Sequence, residues 1–264
     1  MDLGIAGRVA VVGGASSGLG RASALRLAEA GCSLLIWARS SEKSLLGAAA
    51  EFTRAGAPRV EWVVADAGNA DAAAFVADAA TDRFGGVDIL VLNAGGPPSS
   101  DATARDPAAL RAALQLPVET PIALATRLLP GMRGRRWGRI VAVLSWGVRE
   151  PVPALSLSNI GRSGLAAWLK TASLSVAADG VTVNGVMPGR FATPRIRVVD
   201  ESQAAIQGAP IEEVQARARA AIPAGRDGDP DEFGSVVAFL CSERAAYVNG
   251  ALVPVDGGML KSLG

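Results

Sequence analysis

A glycine- and serine-rich run, Gly13 to Gly20, contains the residues best suited to binding a phosphate. It follows an apolar segment, Arg8 to Val12, and precedes a helix-like stretch, Arg21 to Ala30. Glycine lets the backbone approach a phosphate closely, and the N-terminus of the following helix directs free N–H groups and a positive dipole towards it. An ordinary turn between a strand and a helix has a similar composition, so the run alone leaves both interpretations open.

The amino-acid composition excludes several kinds of active site and of binding partner. There is no histidine, which excludes a histidine-based triad and a histidine-ligated metal, and we expect no metal site. The two cysteines, Cys32 and Cys241, are predicted to be buried free thiols. The formal net charge of +1 gives no reason to expect a nucleic-acid or membrane partner. Without a recognisable membrane span or signal peptide, we expect a cytoplasmic protein.

Apolar runs alternate with amphipathic stretches along the whole chain, and these elements must position the phosphate site. Strands are predicted at 8–13, 33–37, 59–64, 87–92, 138–144, 181–186 and 251–255. Helices are predicted near 18–30, 41–55, 69–84, 106–133, 155–178 and 230–242. This alternation predicts an α/β fold, a single Rossmann-like domain over 1–264 whose doubly wound parallel sheet of about seven strands is flanked by helices. Such sheets bind ligands in a crevice at the carboxyl ends of their strands.

The boundaries between elements carry their own signals. Asp106-Pro107 and Asp229-Pro230 each predict a helix start, with the aspartate as N-cap. The stretch 187–228 shows no clear periodicity, and we expect an irregular substrate lid there. One basic cluster is more consistent with a solvated turn than with a binding patch. It comprises Arg133, Arg135, Arg136 and Arg139.

Four further motifs lie at the spacing found in one protein family. They are Asp66 after the third predicted strand, Leu92-Asn93-Ala94-Gly95 after the fourth, Pro188-Gly189-Arg190-Phe191-Ala192-Thr193 after the sixth, and Val255-Asp256-Gly257-Gly258 near the end. With the glycine run, they resemble the motifs of the short-chain dehydrogenase/reductase family, and within it the single-domain branch that includes the β-ketoacyl-acyl-carrier-protein reductases. The resemblance covers nearly the whole chain and implies a nicotinamide-dependent oxidoreductase that acts on a carbonyl or an alcohol.

The resemblance also implies a place for each matching residue around the cofactor. The pyrophosphate would be held by Gly14, Ser16, Ser17, Gly18, Leu19 and Gly20. The adenine would contact Asp66 and Ala67, and the floor of the crevice would be formed by Asn93, Ala94 and Gly95. Near the nicotinamide and the phosphates would lie Pro188, Gly189, Phe191 and Thr193.

The end of the second predicted strand indicates which nicotinamide cofactor is preferred. Ala38 stands where NAD-dependent relatives often carry an acidic residue that binds the ribose 2′-hydroxyl. Arg39 follows, and a guanidinium is well suited to a phosphate, to which the hydroxyl of Ser40 would add a hydrogen bond. We therefore predict that NADP(H) is preferred over NAD(H). The alternative is that Arg39 is only a solvated residue after the strand.

The catalytic positions depart from the pattern of the family. Its active site usually carries Asn, Ser and Tyr-x-x-x-Lys, and here the serine is matched by Ser145. Ser158 stands in place of the tyrosine, Arg162 in place of the lysine and Pro117 in place of the asparagine. The one tyrosine, Tyr247, falls in a C-terminal segment and is not expected to replace the missing acid.

These substitutions change the chemistry that the resemblance implies. An aliphatic hydroxyl is a far weaker acid than a phenol, so Ser158 cannot simply replace tyrosine, and its shorter side chain leaves a gap for water or substrate. Arg162 would hold the nicotinamide ribose and stabilise an alkoxide, but its pKa above 12 prevents it from acting as an acid. As a hypothesis, protons would pass through the carbonyl of Pro117, a water, Arg162 and Ser158. We expect Ser145, Ser158 and Arg162 to be the catalytic residues.

Three functions remain open at this point. The first is an NADP(H)-dependent oxidoreductase with an atypical active site, and the second is an inactive NADP(H)-binding sensor or scaffold. Non-redox chemistry on the same fold is the third. In the first case Trp146 and Phe191 would shape an apolar substrate pocket, and Arg195 and Arg197 either attract an anionic substrate or are solvated surface. The resemblance also implies a homodimer or homotetramer that pairs the helices predicted at 106–133 and 155–178.

Overall fold

Seven parallel strands form one sheet in the computed structural model, which describes residues 1–103 and 106–262. They are β1 (Val9–Gly13), β2 (Ser33–Ala38), β3 (Val60–Val64), β4 (Ile89–Leu92), β5 (Gly138–Val143), β6 (Val181–Pro188) and β7 (Leu252–Val255). Their spatial order is β3-β2-β1-β4-β5-β6-β7. The chain reverses its direction of winding between β1 and β4, as in doubly wound dinucleotide-binding sheets. The predicted fold class is confirmed.

The helices cover both faces of this sheet. They are α1 (Gly18–Glu29), α2 (Glu42–Ala55), α3 (Ala72–Phe84), α4 (Pro107–Leu114), α5 (Thr120–Gly134), α6 (Ser156–Val176), α7 (Pro194–Gln207), α8 (Ile211–Ala220) and α9 (Pro230–Leu240). The side chain of Asp106 caps α4, and Asp229 caps α9 in a capping box with Glu232, which confirms both predicted helix starts. None of the described helices is both long and apolar enough to cross a membrane.

Alternation along the buried strands divides the hydrophobic core into two layers. In β1, Ala10 and Val12 face the layer formed with α1, α2 and α9, whereas Val11 faces the layer formed with α3, α5 and α6. Successive side chains of a strand point to opposite faces, so an uninterrupted apolar run is what a strand covered on both sides requires. The two layers fix the carboxyl ends of the strands along one edge of the sheet.

One predicted helix is interrupted in the structure. The range 106–133 folds as α4 and α5 separated by a π-helical turn, Gln115–Glu119, that contains Pro117. Proline has no N–H and its ring clashes with the preceding turn, so a regular α-helix cannot continue through it. The π turn widens the helix where it packs against α6, and the ring of Pro117 abuts Gly161.

The prediction of an irregular stretch over 187–228 is wrong. β6 extends to Pro188, and the segment that follows contains α7 and α8. A buried ion pair ties α7 to the end of β6, because both guanidinium Nη atoms of Arg190 bind the Asp200 carboxylate at 2.8 and 2.7 Å. Arg190 Nε also binds Asp227 Oδ1 at 2.6 Å. The segment is therefore ordered and largely helical, and Arg190 links its start to Asp200 and Asp227.

We expect Asp200→Asn to lower the free energy of unfolding by about 3 kcal/mol, because it leaves a buried guanidinium partly unpaired. Arg190 holds the pKa of the Asp200 carboxyl below its usual value. A depressed pKa adds stability above the unfolded-state pKa of about 4, and that stability is lost as the pH falls through the folded-state pKa. Urea unfolding from pH 7 to pH 3 should therefore show the difference between wild type and variant shrinking below about pH 4.

A carboxylate next to Asp200 on the same helix provides the matched control. Glu201 pairs with Arg197 at 3.0 Å, but the two side chains are 51 % and 76 % exposed. Exposed pairs contribute about 0–1 kcal/mol, so Glu201→Gln should leave the free energy of unfolding almost unchanged. Equal losses of unfolding free energy in the two variants would contradict a stabilising role for the buried pair of Arg190 and Asp200.

The prediction of a wholly solvated basic turn is correct for three arginines and wrong for the fourth. Arg133, Arg135 and Arg136 are exposed, but Arg139 is buried within β5. Its guanidinium donates to the carbonyl oxygens of Gly138, Gly180 and Ser242 and lies 4.4 Å from the ring centroid of Trp137. Backbone carbonyls from distant segments satisfy this arginine, which is why no local pattern indicated its burial.

Both cysteines are buried free thiols, as predicted. Burial raises the pKa of Cys32 to about 12 and raises that of Cys241 above its usual range. Both thiols therefore stay protonated at neutral pH, and they act as small apolar groups of the core.

Candidate active site

One crevice of about 700 Å³ lies at the carboxyl edge of the sheet. It is formed by the segments that follow β1 to β6, together with the start of α6 and the first turn of α7. Every cofactor and catalytic residue predicted from the sequence lines this crevice, with the exception of Gly20. Residues that are up to 179 positions apart in the sequence, from Gly14 to Thr193, are thus brought to one place.

The glycine run forms a turn whose shape suits a phosphate. Gly14 and Gly18 have φ values of +60° and +56°, which favour glycine. Ser17 precedes α1 and makes no side-chain cap, so the first N–H groups of that helix point into the crevice without a side-chain partner. This arrangement fits an anionic group at the N-terminus of α1.

Gly20 has a packing role instead of a lining role. A Cβ on Gly20 would meet the carbonyl oxygen of Gly14 and the amide Nδ2 of Asn93. The same Nδ2 donates a hydrogen bond of 3.1 Å to the carbonyl oxygen of Gly13. Asn93 therefore ties the end of β4 to the glycine turn, and Gly20 is required so that α1 can pack closely enough for this contact.

The end of the crevice beside β2 contains unsatisfied donors. Arg39 is exposed there and makes no salt bridge with any described residue, while Ser40 Oγ is buried without a hydrogen-bond partner in the described chain. The indole N–H of Trp37 is also buried and has no partner among the residues described. No motif in the sequence pointed to Trp37. Buried polar groups normally have partners, so these donors indicate an oxygen-rich ligand at this end.

The hydroxyl of Ser145 follows β5 and faces the same crevice. Its Oγ accepts a hydrogen bond of 3.1 Å from the N–H of Gly147, so the hydroxyl proton is free to be donated. Asn159, which the sequence did not single out, supports this turn: its Nδ2 donates to the carbonyl oxygen of Val152 at 2.9 Å, and its Oδ1 lies against Gly147. In the sequence, only its position between Ser158 and Arg162 suggests that Asn159 lies near the site.

Arg162 lies on α6 and is buried beneath the floor of the crevice. Its guanidinium donates to the carbonyl oxygen of Val143 and, at 3.1 Å, to that of Ala94, at the ends of β5 and β4. No described carboxylate pairs with it, and burial lowers its pKa to about 10. This pKa is below the value above 12 expected from the sequence, but the guanidinium is still charged at neutral pH. It is thus a fixed, desolvated positive charge beside the crevice.

The position of the family's tyrosine is occupied by a short hydroxyl. Ser158 lines the crevice and is half-buried, and its hydroxyl makes no hydrogen bond with another described residue. Leu116, from the π turn, lines the crevice near it, whereas Pro117 packs against Gly161. Tyr247 is fully exposed and lies outside the lining. The crevice therefore contains no phenol, and the side chain at the tyrosine position is shorter than tyrosine by a whole ring.

Apolar side chains dominate the end of the crevice beyond Ser145. They are Leu116, Trp146, Leu155, Ile196 and Val199. Phe191 also reaches the lining, but most of its ring is buried, edge-on to Phe233 at a centroid distance of 5.5 Å. Trp146 thus meets the expectation of a pocket-shaping aromatic, whereas Phe191 is chiefly a core residue.

Known proteins resemble this chain in sequence and in structure over nearly its whole length. A family model described as enoyl-(acyl carrier protein) reductase matches residues 14–260. The 3-oxoacyl-[acyl-carrier-protein] reductase FabG of Vibrio cholerae is 33% identical over 260 residues, which cover 96% of this chain and 97% of that protein. The cis-4-hydroxycyclohexanecarboxylate dehydrogenase of Sinomonas cyclohexanicum is 33% identical, with coverage of 95% and 96%. The structure of L-sorbose reductase from Gluconobacter frateurii with NADPH and L-sorbose has a TM-score of 0.94, 32% identity and full coverage of both chains.

Proposed function

The chain belongs to the short-chain dehydrogenase/reductase family of oxidoreductases, and on this premise we propose that it transfers hydride between NADP(H) and a carbonyl or alcohol substrate without the family's tyrosine and lysine. The observation that carries the proposal is the presence of Ser145 and Arg162 in the lining of one crevice. Ser145 has a free hydroxyl proton, and Arg162 has a buried charge with no carboxylate partner. L-sorbose reductase, which binds NADPH, supports the choice of cofactor.

The residues present fit NADP(H). The glycine turn and the N-terminus of α1 would hold the pyrophosphate. The side chain of Thr193 lies next to Gly18 and would border the same group. Arg39 and the unpartnered Ser40 hydroxyl would hold the 2′-phosphate. Asp66, whose Oδ1 accepts from the N–H of Gly68 at 2.9 Å, and Ala67 would border the adenine. NAD(H) would leave Arg39 and Ser40 without that partner.

In the proposed mechanism, the residues of this chain orient the carbonyl, stabilise the developing charge and relay the proton. When bound, NADPH would supply a hydride to the carbonyl carbon, so that the C=O π electrons would move to the oxygen and the oxygen would take up a proton. Ser145 donates its hydroxyl proton as a hydrogen bond to that oxygen and so orients the carbonyl. Arg162 stabilises the negative charge that develops there. Water in the space beside Ser158 delivers the proton, and the Ser158 hydroxyl relays it.

The test of this proposal is NADPH oxidation, followed at 340 nm, over a panel of ketones, quinones and β-ketoesters. Turnover above the solvent background on any of them supports an enzyme. The alternative is a sensor or scaffold that binds NADPH without turnover. The missing tyrosine is its basis, because loss of a positioned general acid lowers the rate of the chemical step about 10²–10⁴-fold. Tight NADPH binding by calorimetry, with no turnover over the panel, would favour that alternative.

We expect Arg39→Ala to weaken NADPH binding about 10–100-fold, since hydrogen bonds to a charged group contribute about 1.5–3 kcal/mol. NADH binding should change less than about threefold, because that cofactor lacks the phosphate. Calorimetric titration with both cofactors measures the effect. Arg54→Ala is the matched control: Arg54 is exposed on α2, bonded to the Ala50 carbonyl oxygen of its own helix and outside the crevice. An equal loss for NADH and NADPH would contradict the assignment.

The remaining predictions concern the assembly and its location. We propose a homodimer or homotetramer and a cytoplasmic protein, in keeping with the family. Light scattering coupled to size-exclusion chromatography would measure the assembly directly.

A further inference from the structure

The substrate end of the crevice has an unbalanced positive charge. Arg162 and Arg195 both line it, and the one carboxylate in the lining of the described crevice, Asp66, lies at the adenine end. The rest of the substrate end is apolar or carries a neutral hydroxyl, as with Ser145 and Ser158. Arg162 is buried, whereas Arg195 is exposed at the edge of the crevice. No described carboxylate offsets either charge at this end, so an anion there would be attracted.

Arg195 is directed into the crevice, and its near neighbour on α7 is not. Nη2 of Arg195 donates to the carbonyl oxygen of Pro97 at 3.0 Å, which places the guanidinium across the opening between the lid and the loop after β4. Both arginines are exposed, but Arg197 lies outside the lining of the crevice and is paired with Glu201. Of the two arginines that the sequence offered as anion-binding candidates, the structure thus selects Arg195.

The contacts of Arg195 leave most of its donors unused. Its one hydrogen bond within the described chain is made to a neutral carbonyl, and no described carboxylate forms a salt bridge with it. A guanidinium has five N–H donors arranged as a planar fork that matches the two oxygens of a carboxylate. The side chain is therefore available to a bidentate anionic ligand at the substrate end.

We propose that the substrate is an oxo acid, or the corresponding hydroxy acid, whose carboxylate is bound by Arg195. The inference rests on the proposed function, since it names the substrate class of the same site. In the reductive direction, hydride forms the new C–H bond at the oxo carbon, the π electrons move to the oxygen, and water supplies its proton. The carboxylate takes no part in these bond changes. Arg195 holds it and thereby sets the position of the neighbouring carbonyl.

The experiment compares oxo acids with their neutral methyl esters on the NADPH-bound protein. The pairs are pyruvate with methyl pyruvate, acetoacetate with methyl acetoacetate, and phenylpyruvate with its methyl ester. We expect kcat/KM for at least one acid to exceed that of its ester about tenfold or more, the effect of one charge-assisted contact. Arg195→Gln should lower kcat/KM for that acid about 10–100-fold, mainly through KM, and should change the ester less than about threefold.

Three further measurements make the result specific. Arg195→Lys should recover part of the loss, because it keeps the charge but not the fork. Arg197→Gln, on the same helix but outside the crevice, should leave both members of each pair unchanged. The affinity for NADPH should be the same in wild type and Arg195→Gln; a loss there, with equal losses for acid and ester, would mean that Arg195 binds a cofactor phosphate and would overturn the inference.

Binding separates this inference from the proposed function. Oxamate, a non-reducible analogue of a small oxo acid, is titrated into the NADP⁺-loaded protein by calorimetry. Binding by wild type that is lost in Arg195→Gln supports the carboxylate site even if no substrate turns over. Turnover of esters or of a phosphorylated ketone in preference to every acid would overturn the inference and leave the oxidoreductase intact. Absence of both turnover and oxamate binding would overturn both.

Discussion

Replacing Arg162 with methionine is expected to lower kcat/KM about 10²–10³-fold, the usual effect of removing one preorganised group that stabilises a developing oxyanion. The guanidinium is held by the carbonyl oxygens of Val143 and Ala94, so its charge is already in place before the substrate binds. A charge that needs no reorganisation in a desolvated site acts mainly on the transition state. We therefore expect the loss to fall on kcat, with a smaller effect on KM.

The control for this variant is Arg162→Lys, which restores the residue type that the family usually carries at this position. Lysine keeps the positive charge and can reach one of the two carbonyl oxygens, so most of the activity should be retained. Melting temperatures and NADPH affinities of both variants should be measured, because methionine leaves two buried carbonyl groups without their donor. A folded, NADPH-binding methionine variant with activity within threefold of wild type would contradict the role of Arg162.

The fold was predictable because its signals are local and repeated. Most residues of each strand are apolar, each crossover is long enough for a helix, and the N-caps at Asp106 and Asp229 occur next to prolines. The crevice followed from the fold, since parallel strands bring their carboxyl ends together. The spacing from Ser145 to Ser158 and Arg162 matched the family's frame, and these side chains do line one crevice.

What the sequence could not predict depends on partners that are distant along the chain. Helices α7 and α8 are polar on most faces and bury little beyond Asp200 and Val214, so their periodicity is weak. The buried state of Asp200 depends on Arg190, and that of Arg139 on carbonyls from Gly180 and Ser242. The orientation of Arg195 likewise depends on Pro97, which precedes it by 98 residues. In each case a long arginine side chain bridges two segments, and the partners stand 10 to 103 residues apart, in different elements of the fold.

Ser145→Ala is expected to lower kcat/KM about 10²–10³-fold, while Ser158→Ala should lower it less than tenfold. Both residues are half-buried serines that line the same crevice, which makes the second variant a matched comparison for the first. They differ in preorganisation. Ser145 Oγ accepts a hydrogen bond from the N–H of Gly147, whereas the hydroxyl of Ser158 has no hydrogen bond to another described residue. A hydroxyl that is held in place, such as that of Ser145, stabilises the reacting oxygen. A hydroxyl without a partner, such as that of Ser158, can be replaced by water with little loss of rate.

The pH dependence distinguishes this assignment from one in which a serine acts as the acid. Neither hydroxyl titrates near neutral pH, and the guanidinium of Arg162 stays charged there because its pKa is about 10. If water supplies the proton, log kcat/KM should be nearly flat between about pH 6 and 8.5, because no group of the proposed relay changes its protonation state. A bell-shaped profile in that range, or equal losses in the two serine variants, would place an ionising acid in the crevice. The oxyanion would then depend on a group other than the Ser145 hydroxyl and the buried charge beside it.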